Sequence, residues 1–279
     1  TGSSAVNILK GGGESLAGRL TSLRLYPFSF REYLRYNDKG RERLDFSTLS
    51  TSDRSVRIRF DEYLEAGGMP ELYRSDRPVE RLEETIDLVF YRDIIELFDA
   101  ARSSVLAGLF RQFASSSGQV VNFNSLADAL DADFRTVKKY IDYLEDSFLI
   151  ARSYPHTGSD LASMRKNPKV YVADHAYNRI YGTSIGLRAE TIAFNHLKRI
   201  EPPGFLKSPE TDIVLPDSEV LVEVKYQDTI STSDLGALVE NAEETGFRPL
   251  CVSKDTFETR SVDGHEVEIV PLHTVCRIV

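Results

Sequence analysis

The segment Glu210-Thr-Asp-Ile-Val-Leu-Pro-Asp-Ser-Glu-Val-Leu-Val-Glu-Val-Lys225 predicts two β-strands joined by a tight turn at positions 216–218. Because side chains alternate between the two faces of a strand, Glu223 and Lys225 are expected on one face and the intervening valines on the other. A hairpin at 216–218 also brings Asp212 beside Glu223. The segment therefore predicts two carboxylates and one ammonium group at the end of a β-sheet.

Such a cluster is suited to binding a divalent cation. Mg²⁺ and Mn²⁺ prefer hard oxygen ligands, which makes Asp212 and Glu223 the candidate metal ligands. A lysine beside the metal can stabilise charge on a reacting phosphate or orient a metal-bound water, and Lys225 holds that position. The alternative is an ordinary charged hairpin at the protein surface, without chemistry.

The same residues resemble a known family. An amphipathic helix is predicted ahead of the hairpin, over Leu187-Arg-Ala-Glu-Thr-Ile-Ala-Phe-Asn-His-Leu197. This helix, Asp212 and the pattern Glu223-Val-Lys225 together resemble the PD-(D/E)XK nuclease fold, whose helix acid corresponds to Glu190. The resemblance implies a Mg²⁺- or Mn²⁺-dependent nuclease acting on DNA, with Glu190, Asp212, Glu223 and Lys225 as catalytic residues. In the alternative that the resemblance leaves open, the fold is retained as an interaction module without turnover.

The beginning of the chain resembles a different element. Three stretches near the start of the chain resemble the end of the nucleotide-binding core in a family of AAA-type ATPases common in archaea and bacteria. They are Thr1-Gly-Ser-Ser-Ala5, Leu16-Ala-Gly-Arg-Leu20 and Tyr26-Pro-Phe-Ser-Phe-Arg-Glu-Tyr-Leu34. The segments 63–71, 90–96 and 169–174 resemble later parts of that family in the same order. Within the third segment, Ser29 and Glu32 predict a capping box at the start of a helix.

The ATPase resemblance implies roles in sensing nucleotide. Ser3 or Ser4 would contact a γ-phosphate, and Arg19 would sense the nucleotide state; for Arg19 the alternative is an exposed strand arginine. No G-x-x-x-x-G-K-[ST] phosphate loop occurs in the sequence. We therefore expect the chain to be the C-terminal part of a longer ATPase, which binds ATP only together with an upstream half.

Residues 104–172 predict a winged helix. A short helix at 125–130 and a second helix at 134–146, capped by Asp133, precede strands at 148–152 and 169–172. Arg135, Lys138 and Lys139 share one face of the second helix and are the candidate DNA-binding residues. Acidic residues on the same helix favour the alternative, in which the winged helix contacts other domains or proteins.

These segments predict α/β plus α architecture. The expected parts are the end of an AAA-type ATPase core at 1–27, a helical linker at 28–103, a winged-helix domain at 104–180 and a PD-(D/E)XK nuclease-like α/β domain at 181–279. In the last part, the residues 231–244 predict a helix with a serine or threonine cap, and 248–253 and 268–272 predict buried strands.

Charge and composition limit the function. The 279-residue chain has a formal net charge of −9. Residues 186–279 hold nine lysine or arginine against seventeen aspartate or glutamate residues, which opposes an extended nucleic-acid surface there. Cys251 and Cys276 lie in apolar, strand-like runs and are expected to be reduced core residues of a cytoplasmic protein rather than a disulfide or a metal site. No apolar run approaches the roughly 18 residues of a membrane span, so we expect no membrane partner.

Three functions compete for these features. In the first, the chain is a metal-dependent nuclease acting on DNA under the control of the ATPase, which assembles into an oligomer through its core. In the second, it is a silent interaction module on a regulatory ATPase. In the third, it is chiefly a winged-helix DNA-binding protein. The filled Asp212, Glu223 and Lys225 pattern favours the first, and the acidic balance favours the second.

Overall fold

The computed structural model describes residues 23–37, 54–95 and 102–278. Its first helix, α1, spans Phe30–Asn37 and begins with the predicted capping box. The Ser29 N–H donates to Glu32 Oε2 at 2.7 Å, and the Glu32 N–H donates to Ser29 Oγ at 3.3 Å. The first turn of the helix thereby has two of its free N–H groups satisfied.

The next elements are helical. Helix α2 spans Arg54–Ala66, a 3-10 helix spans Pro70–Arg74, and α3 spans Pro78–Leu88 and continues as a π-helix over Val89–Ile95. The turn after α2 uses Gly67 at φ +96°, a conformation that L side chains rarely adopt.

A second group of elements combines helices with a short hairpin. Its members are α4 (Ser103–Ser115), α5 (Phe123–Ala129), α6 (Phe134–Asp146), β1 (Ile150–Ser153), α7 (Asp160–Ser163) and β2 (Lys169–Val172). Strands β1 and β2 pair antiparallel, with Ile150 opposite Val172. Helix α6 has the predicted limits, and the Asp133 side chain caps it by accepting from the Thr136 N–H.

The remaining elements form an α/β layer. In chain order they are α8 (His175–Ile180), α9 (Ile185–Leu197), β3 (Gly204–Lys207), β4 (Glu210–Leu215), β5 (Val220–Lys225), a 3-10 helix (Thr232–Leu235), α10 (Gly236–Thr245), β6 (Arg248–Ser253), β7 (Glu258–Val262), β8 (His265–Pro271) and α11 (Leu272–Ile278). The sheet order is β3-β4-β5-β6-β8-β7. The β5–β6 and β6–β8 pairs are parallel, and the others are antiparallel.

Helices cover both faces of this mixed sheet, which confirms the predicted α/β plus α character. Val220 and Val222 pack on one face with Phe194 of α9, in a core that also receives Phe30 of α1. Leu221 packs on the opposite face with residues of α10. The alternation predicted for β5 is therefore confirmed.

Two local predictions in this layer need correction. Cys276 lies in helix α11 rather than in a strand, because Leu272, Val275 and Cys276 have the spacing of one helix face. The strand predicted at 268–272 spans His265–Pro271 and forms a hairpin with β7. Both cysteines are free and buried, as expected. Within the described ranges, no helix combines the length and apolar character needed to cross a membrane.

Candidate active site

Asp212 and Glu223 meet across the β4–β5 pair. Ile213 pairs with Val222, so the next positions towards the sheet edge are Asp212 and Glu223. The Asp212 N–H donates to Glu223 Oε2 at 3.3 Å, and the Val224 N–H donates to Asp212 Oδ2 at 2.9 Å. These bonds fix both carboxylates at the start of β4 and the end of β5.

Lys225 completes the strand part of the site. Its Nζ donates to Glu223 Oε1 at 2.6 Å. The Lys225 side chain is 32% exposed, whereas that of Glu223 is 9% exposed. The ammonium group can therefore be reached from solvent while the carboxylate below it is largely buried. Asp212, Glu223 and Lys225 lie together, as the alternation of the strand predicts.

Glu190 approaches the same carboxylates from helix α9, through a lysine that the sequence pattern did not predict. Lys169 Nζ lies 3.4 Å from Glu190 Oε1 and 3.4 Å from Asp212 Oδ1. It also lies 2.9 Å from Glu210 Oε1. One ammonium group thus links the helix acid to the two acids of β4.

Lys169 is the first residue of β2 and its side chain is only 1% exposed. A buried ammonium group is strongly unfavourable without ionic and hydrogen-bonding partners, and the neighbouring carboxylates supply them. Tyr171, two residues further along β2, donates its hydroxyl to Glu190 Oε1 at 2.7 Å. The signal in the sequence is a lysine at the head of the apolar run Val170-Tyr-Val172, all of which is buried.

A glycine makes room for the Glu190 carboxylate. Gly118 has φ +88°, and a Cβ atom built on it would lie 2.8 Å from Glu190 Oε1. Its N–H donates to the Val170 carbonyl at 2.9 Å, so it is held against β2. Both the backbone conformation and the close approach require glycine at this position.

The electrostatics of the cluster follow from burial and crowding of carboxylates. Burial and the Asp212 charge raise the pKa of Glu190 to about 8. The same two causes raise the pKa of Glu223 to about 7. Burial alone would lower the pKa of Lys169, but the charges of Glu190 and Asp212 hold that pKa above its ordinary value. The site favours an additional positive charge, because four carboxylates face two ammonium groups.

The donor chemistry of the cluster fits Mg²⁺ or Mn²⁺, since Asp212, Glu223 and Glu190 offer carboxylate oxygens. In the described ranges, no group of three or more histidine, cysteine, aspartate or glutamate side chains is arranged so as to hold a metal ion. The oxygen donors thus suit the metal in type but not in arrangement, since Lys169 lies between the acid of α9 and the acids of β4.

The other predicted site residues lie elsewhere in the chain. Arg135, Lys138 and Lys139 are exposed on α6. The acidic side chains of that helix include Asp142 and Glu145, which both pair with Arg152. Ser3, Ser4 and Arg19 lie outside the described residues.

Comparisons with known proteins find relatives of the whole described region. Residues 57–181 match the model of a domain of unknown function, DUF8612. An uncharacterized protein of Haemophilus influenzae is 25% identical over 284 aligned positions, which cover 96% of the chain and 68% of that protein. The uncharacterized protein MJ1544 of Methanocaldococcus jannaschii is 22% identical over 302 positions, which cover 97% of the chain and 66% of that protein.

A second protein of the same archaeon, uncharacterized protein MJ1637, is 26% identical over 189 positions, or 61% of the chain and 39% of that protein. The chain spans about two thirds of the length of the first two relatives. No solved structure matches it.

Proposed function

We propose that the C-terminal layer is a PD-(D/E)XK nuclease-like domain that binds Mg²⁺ or Mn²⁺ and hydrolyses phosphodiester bonds in DNA. The observation that carries this proposal is the convergence of Asp212, Glu223 and Lys225 at one end of the β4–β5 pair. Glu190, which faces the same cluster from α9, is the fourth residue of the resemblance. The order of a helix, three strands, a helix and a strand parallel to β5 supports it further.

The proposed chemistry assigns each residue a separate task. Asp212 and Glu223 would hold the cation, which supplies Lewis-acid polarisation of the scissile phosphate when bound. Lys225 would donate to a phosphate oxygen and stabilise the charge that develops there. Glu223 orients Lys225 through their 2.6 Å contact. Glu190 would contribute the helix carboxylate of the site.

Cleavage assays with ATP present, and with the upstream half that the ATPase resemblance implies, test this function. Single- and double-stranded DNA and RNA are incubated with Mg²⁺ or Mn²⁺, and with EDTA. We expect cutting that requires the metal and is abolished by Lys225→Ala with metal binding retained, whereas Asp212→Ala loses both. Lys207→Ala and Asp217→Ala, at exposed positions on β3 and in the hairpin turn, are the matched controls.

A second candidate is an interaction module without turnover. Two observations favour it: Lys169 fills the space among the carboxylates, and residues 186–279 carry nine basic against seventeen acidic residues. The cleavage assay separates the two functions. If the intact wild type cuts no substrate above the Lys225→Ala background, the interaction module replaces the nuclease.

We further propose that residues 104–180 form a winged-helix domain. The order α4, α5, α6, β1, β2 supports it, as does the segment 117–121, which lies along β2 through the bonds from Gly118 N–H to Val170 O and from Val121 N–H to Pro168 O. DNA binding by its exposed cations Arg135, Lys138 and Lys139 is a third candidate function.

We also propose that the protein binds ATP together with an upstream half, assembles through the ATPase core and is cytoplasmic. The resemblance of the first 34 residues to an AAA-type ATPase supports this, and most of these residues lie outside the described ranges.

A further inference from the structure

We propose that Lys169 is an internal cation that occupies the carboxylate site and competes with a divalent metal ion for it. The inference rests on the metal site of the proposed function and adds a residue that closes that site. Lys169 thereby sets how readily the site accepts a metal.

The first support is the position of the ammonium group. Lys169 Nζ lies 2.9 Å from Glu210, 3.4 Å from Glu190 and 3.4 Å from Asp212, measured to one oxygen of each carboxylate. Its side chain is 1% exposed, so it is not a surface lysine that pairs transiently with nearby acids. It lies among these oxygens as a bound cation would.

The second support is that the carboxylate oxygens are already engaged. Asp212 Oδ1 faces Lys169, and Oδ2 accepts from the Val224 N–H. Glu223 Oε1 accepts from Lys225, and Oε2 accepts from the Asp212 N–H. A Mg²⁺ ion binds its oxygen ligands at about 2.1 Å, so Asp212 Oδ1 would have to exchange Lys169 for the metal.

The third support is that Lys169 and the carboxylates come from different parts of the chain. The carboxylates belong to α9, β4 and β5, whereas Lys169 belongs to the β1–β2 hairpin and directly follows the connection at 154–168. Two different parts of the chain therefore supply the acids and the competing cation. Any withdrawal of Lys169 Nζ leaves Glu190 and Asp212 without their shared counter-charge, which favours uptake of a metal.

Titration with Mn²⁺, followed by electron paramagnetic resonance of the free ion and by calorimetry, tests the inference without an activity readout. Lys169→Met keeps the length of the side chain and removes its charge. We expect it to bind Mn²⁺ about tenfold more tightly than the wild type or better, and to lose this binding when combined with Asp212→Asn. Lys254→Met is the matched control, because Lys254 pairs with one exposed carboxylate, Asp228, at 2.8 Å.

Removal of Lys169 alone leaves buried acids without a counter-charge and can prevent folding. A second comparison, between Glu190→Gln and the double variant Lys169→Met/Glu190→Gln, keeps the test decisive. In the double variant both members of the Lys169–Glu190 ion pair are neutral. The gain in Mn²⁺ affinity is then measured between these two proteins, each checked by circular dichroism.

The outcomes separate the inference from the function on which it rests. The proteins with and without Lys169 could bind Mn²⁺ with equal affinity, and both could lose this binding on Asp212→Asn. That result would show that Lys169 does not compete with the metal, while the metal site itself would be supported. If no variant binds Mn²⁺ in a way that depends on Asp212, the metal site and the competition both fail.

Discussion

The Tyr171 hydroxyl donates to Glu190 Oε1 at 2.7 Å, which joins strand β2 to helix α9 at a buried carboxylate. The Tyr171 ring also stacks on Phe194 of the same helix, with centroids 3.8 Å apart and planes inclined by 8°. Tyr171 therefore holds the strand that carries Lys169 against the helix that carries Glu190. The geometry of the candidate site depends on this junction.

Tyr171→Phe should lower the free energy of unfolding by roughly 1–3 kcal/mol, because it leaves a buried carboxylate with one donor fewer while the ring stack is retained. Urea unfolding measures the change. Tyr154→Phe, at a tyrosine outside this junction, is the control. Equal stability of the two variants would show that the Tyr171 hydroxyl contributes nothing.

Gly118→Ala should destabilise the protein more than Gly264→Ala. The two glycines have nearly the same backbone conformation, with φ +88° and φ +85°. A Cβ atom at Gly118 would meet Glu190 Oε1 at 2.8 Å, whereas one at Gly264 would meet nothing within 4 Å. The positive φ disfavours alanine by about 1–2 kcal/mol at both sites. The difference between the two losses of stability therefore reports the contacts of the added methyl group with Glu190 and with Tyr171, whose Cε1 would lie 3.1 Å away. Equal losses would mean that both side chains move aside freely.

The buried histidine of α9 should make stability fall in acid. The Phe30 N–H donates to His196 Nε2 at 3.0 Å, so the ring is neutral, with its Nδ1 proton directed to the Ile192 carbonyl at 2.8 Å. Burial lowers the pKa of His196 to about 3. Between about pH 6.5 and that value the unfolded chain binds a proton that the folded chain does not, so the free energy of unfolding decreases by up to about 1.4 kcal/mol per pH unit as the pH falls.

Urea unfolding at pH 7 and pH 4.5 checks this sign. His196→Gln should lose less stability between the two pH values than the wild type, and His265→Gln, at a partly exposed histidine, should behave as the wild type does. The same acid-induced loss in His196→Gln as in the wild type would contradict the neutral assignment.

Helix α6 should bind duplex DNA only weakly at physiological salt, because Asp133, Asp142, Glu145 and Asp146 accompany its three exposed cations. Reversing the charge of Arg135, Lys138 and Lys139 should then change little. The matched control reverses Arg54, Arg57 and Arg59, which are exposed on α2. Tight binding that weakens steeply with salt, and that disappears only in the α6 variant, would instead assign DNA recognition to helix α6.

Local signals in the sequence were sufficient for many elements. Helix α6 has its predicted limits because Asp133 caps it and Val137, Ile141 and Leu144 recur at helical spacing. The β4–β5 hairpin follows from alternation and a strong turn, and it places Asp212 beside Glu223. In each case, the residues that determine the element are close to one another in the chain.

Lys169 was beyond such reasoning because its partners are distant in sequence. Glu190 is 21 residues away and Asp212 is 43 residues away. A lysine at the head of a strand ordinarily extends its ammonium group to water. Only the packing of β2 against α9 and the contacts of Lys169 with the acids of β4 reveal its burial. Strand β7 escaped prediction for a related reason: four of its five residues are not buried, which leaves little apolar pattern.

Anomalous diffraction from crystals soaked in Mn²⁺ tests the metal site most directly, with wild-type crystals compared with Lys169→Met crystals. An anomalous peak is predicted about 2.1–2.4 Å from carboxylate oxygens of Asp212 and Glu223, stronger in the variant, with Lys225 retained beside Glu223. If neither crystal shows a peak at these carboxylates, at Mn²⁺ concentrations that label other sites, the result contradicts the proposed metal-dependent nuclease-like site.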